Sequence, residues 1–175
     1  MNQEKKENKS RKLRPVKVFI AILAVVLFVI VLDRLPTSRS ARNDKIVQGN
    51  AGEPVPEGKE YYYLQGFLDI LENEIIDRLK ELGVPEEDYE NVVEYLSKDE
   101  LAMFEAKIKL ASSLEGTYVE IEETDKRTLE KVLKLDSDYS FERFQKSEVI
   151  PSEYVILKDL LKEYEDSISK IDEEE

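Results

Sequence analysis

The sequence predicts an all-α fold: one N-terminal transmembrane helix, a flexible stalk, and a small four- to five-helix bundle with at most a minor β-hairpin. Three observations lead there. Val18–Leu32 is a run of 15 residues without one polar side chain. The segments beyond residue 59 place apolar residues at three- and four-residue steps, the spacing of a helix with one buried face. Charge is divided sharply along the chain. Residues 1–17 hold seven Lys/Arg, whereas 49–175 hold 15 Lys/Arg against 35 Asp/Glu, a balance of −20 within a chain whose formal net charge is −13.

These divisions give four expected regions: a basic cytoplasmic tail (1–17), a transmembrane signal anchor (18–32), a flexible stalk (33–58) and an acidic helical extracytoplasmic domain (59–175). As a helix the apolar run is ~22 Å long, short of the ~30 Å hydrocarbon core, but flanking Val16 and the stems of Lys17 and Arg34 extend it. A cleaved secretory signal is the competing reading. No pair of small residues follows the run closely, so an uncleaved anchor is preferred. Seven Lys/Arg before the run against four in the 16 residues after it orient the tail inward and the body outward. The expected placement is the cell membrane, single-pass, with the N-terminus cytoplasmic and the lipid bilayer contacted through Val18–Leu32.

The stalk is rich in Pro, Ser, Gly, Asn and charge, with no apolar period. In the body, Lys59–Leu82 reads as the first helix, carrying Leu64, Phe67, Leu68, Leu71, Ile75 and Leu79, with Gly83 as its stop. Pro85-Glu86-Glu87 opens a second helix. Ser97-Lys98-Asp99-Glu100 is a capping box, and the third helix runs to about Glu115 with Leu101, Phe104, Ile108 and Ala111 inward. Thr117–Glu123 alternates and could form a strand, with Val149-Ile150 as its short partner. Asp125–Leu135 is a short helix. The last helix starts at Pro151-Ser152-Glu153, and Tyr154, Leu157, Leu161, Tyr164, Ile168 and Ile171 step as a heptad seam.

The composition removes whole classes of chemistry. Cysteine and histidine are absent, which excludes disulfides, thiol nucleophiles, Cys/His zinc sites and imidazole acid–base catalysis. The pI near 4.7 argues against nucleic-acid binding. Asp136-Ser-Asp138-Tyr-Ser140 opens like a calcium loop, but Phe141 replaces the turn glycine and Ser147 the bidentate acid. Glu74 and Arg78 read as an i,i+4 ion pair. No catalytic residues, cofactor site or metal ligands are expected.

Two features point to contact with a partner. Tyr61-Tyr62-Tyr63 cannot all face one core from one helix, and tyrosine is enriched at interfaces. The seam Tyr154, Leu157, Leu161, Tyr164, Ile168 packs within the chain or against a second copy. The expected function is therefore a membrane-anchored extracytoplasmic helical module for binding or assembly, non-catalytic, with a protein partner of basic or apolar surface. A secreted helical inhibitor or effector is the alternative, and a carboxylate-only enzyme a lesser one.

Overall fold

The computed structural model describes residues 45–135 and 141–172. In chain order the described residues form β1 (Val47–Gln48), β2 (Glu60–Leu64), α1 (Phe67–Glu81), α2 (Val92–Tyr95), α3 (Lys98–Leu114), β3 (Thr117–Ile121), α4 (Glu123–Val132), β4 (Gln145–Lys146), β5 (Glu153–Ile156) and α5 (Leu157–Asp172). Single 3₁₀ segments lie at Glu86–Asn91 and Phe141–Arg143. The all-α bundle is thus corrected to a mixed α/β fold with a five-stranded sheet in the order β1-β5-β3-β2-β4.

The membrane expectation is corrected as well. Among the described residues no helix is long and apolar enough to cross a membrane. The run Val18–Leu32, on which the anchor, the single-pass topology and the cell-membrane placement rested, lies outside the described residues. The structure therefore lends no support to a transmembrane or membrane-anchored protein. The segment Asp136–Ser140 also lies outside the described residues.

Two strands were hidden inside expected helices. Glu60–Leu64 pairs antiparallel with all of β3, placing Tyr62 opposite Val119 and Leu64 opposite Thr117. Three adjacent tyrosines suit a pleated strand, where successive side chains take opposite faces. Gly66 then turns the chain at φ 88°, a left-handed conformation that L side chains rarely adopt, and α1 begins at Phe67. Its first N–H groups find their acceptor far along the chain. The Glu115 carboxylate accepts from Gly66 N at 2.8 and 3.0 Å and from Phe67 N at 3.3 Å. Similarly, Glu153–Ile156 is β5, which pairs parallel with β3 and antiparallel with β1. Val47–Gln48, in the expected stalk, is β1.

The helix signals encoded locally are present. Gly83 N–H donates to Lys80 O and Val84 N–H to Leu79 O, the paired bonds that close a helix with a left-handed glycine, here at φ 73°. At α3, Ser97 Oγ accepts from Glu100 N while the Glu100 carboxylate accepts from Ser97 N, the reciprocal capping box.

Sheet register sorts the tyrosines. Tyr62, Leu64, Val119, Ile121 and Val155 face the helices and join a single core with Phe67, Leu71, Phe104, Leu129 and Leu157. Tyr61, Tyr63, Tyr118, Glu120 and Tyr154 take the other face. There Tyr61 is 1% exposed, and its hydroxyl donates to Glu120 Oε2 at 2.6 Å while Lys59 Nζ donates to Oε1 at 2.5 Å. The rings of Tyr61 and Tyr154 meet edge to face at 5.0 Å, those of Tyr63 and Tyr118 at 5.4 Å. Burial, first, and the Glu120 carboxylate hold the Tyr61 hydroxyl far above its ordinary pKa, so it stays a donor. Both sheet edges are two residues long, which leaves little edge for a foreign strand.

Candidate functional site

Between α1 and α3 runs a groove of about 660 Å³ that ends against the last turn of α4. The spacing of each helix builds it. In α1, Phe67, Leu71, Ile75 and Leu79 enter the core, so the adjacent row Ile70, Glu74, Asp77 and Glu81 becomes one wall. In α3, Glu100, Met103 and Phe104 form the other. Leu133 and Lys134 close the side. Of its apolar lining, Phe104 and Leu133 belong to the buried core, and Ile70 and Met103 are half-buried.

Ion pairs tie the walls together. Lys107, buried in α3, donates to both oxygens of Glu74 at 2.9 and 3.0 Å, and Lys134 reaches the same carboxylate at 2.8 Å. Burial alone would raise the Glu74 pKa, but the bonds from Lys107 and Lys134 outweigh it and hold the carboxyl below its usual range. Further along, Arg78 Nε donates to Glu100 Oε1 at 2.7 Å and Nη1 to Glu81 Oε2 at 3.0 Å. Glu100 is also held low, first by the Ser97 backbone N–H and then by Arg78. Glu74 and Arg78 therefore do not pair with each other as helix spacing suggested; each reaches across to a partner on α3 instead.

The chain that connects α1 to α3 runs through residues 82–99, between Glu81 and Glu100 of the groove walls in sequence. Here Glu86, Glu87, Asp88, Glu90, Glu94 and Asp99 make no ion pair among the described residues. Leu82 and Tyr95, in the same stretch, are exposed by 43% and 38%. Lys98 lies in the same stretch, so residues 82–99 carry six acids against one base.

The residues singled out by sequence are dispersed. Tyr62, Leu157 and Leu161 are core, Tyr61 is buried on the opposite sheet face, and Tyr63 and Tyr154 are half-buried there. Tyr164 and Ile168 are half-buried on α5, the helix that packs along α3. The groove residues were missed, although one signal existed. Lys107 falls beside Phe104, Ile108 and Ala111 on the inward stripe of α3, and a lysine there requires a carboxylate partner. No group of three or more Asp/Glu suited to a metal occurs among the described residues.

One buried acid has no such partner. Glu72 is 8% exposed and its Oε1 accepts no hydrogen bond. Burial, then the neighbouring Asp69, raises its pKa. A carboxyl whose folded-state pKa is raised destabilises the fold at neutral pH, and the penalty fades as pH falls through that pKa toward the unfolded value of ~4.3. Glu72→Gln is expected to stabilise the chain by about 1 kcal/mol at pH 7. The advantage should shrink as melts are repeated at falling pH; equal melting at pH 7 would refute it.

No family model, curated protein or solved structure matches this chain, so similarity places it in no family.

Proposed function

We propose that this chain is a non-catalytic binding module for a protein partner with a basic surface and apolar anchor residues. The observation that carries the reading is residues 82–99, where six carboxylates without ion pairs stand beside the exposed side chains of Leu82 and Tyr95. The net negative charge of the stretch, six acids against Lys98, steers association and selects the partner, while the apolar side chains supply contact area. The groove carboxylates favour binding over acid–base work. Glu74, Glu81 and Glu100 are each held by a lysine or arginine, whereas a catalytic pair needs acids with pKa values pushed apart and free to exchange protons.

Cross-linking in cells that make the protein should trap the full chain with a basic protein. The triple variant Glu86→Lys, Glu87→Lys, Glu90→Lys should cut that adduct about tenfold or more through like-charge repulsion. All three side chains are exposed, so its melt should stay within about 1 kcal/mol of the parent. An adduct unchanged by the reversal, or one formed only with acidic proteins, would refute the reading.

A further inference from the structure

We propose that residues 85–96 are a strap that opens as one unit while the rest of the fold stays closed, and that repulsion among its own acids sets how often it opens. The strap does not rest on the binding-module reading. Its test uses no partner, so either can fail without the other.

The backbone marks the unit. Gly83 and Val84 close α1 through bonds to Lys80 and Leu79, and Ser97 caps α3. Between these fixed ends lie the 3₁₀ segment Glu86–Asn91 and α2. Extended residues bracket them, Pro85 at ψ 147° and Leu96 at ψ 145°. Among the described residues, the hydrogen bonds of 85–96 stay inside the stretch. Asp88 N–H donates to Pro85 O, Leu96 N–H to Val92 O, and the Tyr95 hydroxyl to Asp88. The two short helices also touch each other more than they touch any other element. The strap can therefore lift without breaking a hydrogen bond to the sheet or to the long helices. A segment connected in this way opens at lower free energy than the elements around it.

Three side chains hold it down. Tyr89, Val92 and Leu96 are buried and belong to the core that α1 and α3 share. Opening uncovers them and the core beneath.

Charge works against these anchors. Residues 85–96 carry five acids and no base. Glu87 and Glu90 stand three apart in a 3₁₀ segment, where such side chains eclipse. Glu86 and Glu90, like Glu90 and Glu94, stand four apart, and like charges at these spacings destabilise a helix.

Hydrogen exchange of the full chain, read by mass spectrometry, tests both halves of the proposal. Relative to their unstructured rates, amides of 86–96 should exchange about tenfold or more faster than those of α1 and α3. Val92→Ala should speed the strap about tenfold further and leave α1 and α3 unchanged. Glu87→Gln, Glu90→Gln and Glu94→Gln together, all at exposed positions, should slow the strap about threefold or more at low salt. Raising salt from about 10 to about 150 mM shortens the Debye length from ~30 to ~8 Å and should slow the parent's strap similarly, but not the variant's. Strap amides as slow as those of α1 and α3, or a Val92→Ala variant that speeds all three alike, would overturn the proposal. A strap rate that neither salt nor the glutamine variant moves would overturn it as well.

Discussion

Leu161→Asp is expected to unfold the chain. Leu161 is 5% exposed on α5, in one core with Leu157 and Leu160 of the same helix and with Leu110 and Leu114 of α3. Replacing it with aspartate removes the apolar side chain and buries a carboxylate with no cation assigned to it. Loss of a buried leucine alone costs about 2–5 kcal/mol. The buried charge adds to that, and the sum is comparable to the whole stability of a small domain. Circular dichroism should show helix and strand signals lost together, because α5 follows β5 directly and shares its core. A folded monomer with an unchanged melt would mean that this face of α5 is not core.

Glu74→Ala should have the next largest effect, by a different route. It strips the carboxylate from Lys107, whose side chain is 5% exposed, and leaves a buried ammonium with no acid bonded to it. Breaking a buried ion pair from one side costs about 3–5 kcal/mol. Lys134, with its side chain 70% exposed, loses the same partner at little cost because water replaces it. The double variant Glu74→Leu, Lys107→Leu should recover most of the loss, since apolar replacement of a buried pair is often neutral or stabilising. The pH dependence follows from the lowered Glu74 pKa. The stabilisation is present above the unfolded value of ~4.3 and is lost as pH falls through the folded pKa. Denaturant midpoints at neutral and acidic pH measure both effects. A single variant costing under about 1 kcal/mol would show that Lys107 finds another acceptor or reaches water.

These two residues show how unevenly the sequence reports on the fold. Leu161 was legible as part of an apolar stripe. Lys107, the partner of Glu74, was visible only as a lysine on an inward stripe. Nothing local names Glu74 rather than another of the many acids as its partner. Arg78 makes the same point: helix spacing offered Glu74, four residues away, and the fold chose Glu100 and Glu81.

The strands were missed for a related reason. In the stretch from Leu64 through Phe67, Leu68 and Leu71, the apolar spacing of a helix runs on across Gly66, so β2 and α1 read as one element. Tyr154, three residues before Leu157, likewise merged β5 into α5. Alternation suggested a strand over Thr117–Glu123, which the fold shortens to Thr117–Ile121, and its expected partner Val149-Ile150 gave way to β2 and β5.

By itself, then, the sequence determined what acts within a few residues: the glycine stop at Gly83, the capping box at Ser97, the inward rows of α1 and α3, the acidic surface, and the lack of thiol and imidazole chemistry. Tertiary structure alone decided which segments pair as a sheet, which face each tyrosine takes, and which carboxylate answers each buried cation. The physical reason is range. Helix spacing and caps depend on neighbours one turn away, whereas Glu60 meets Ile121, Glu115 caps Phe67 and Glu74 meets Lys107 only after the chain has closed on itself.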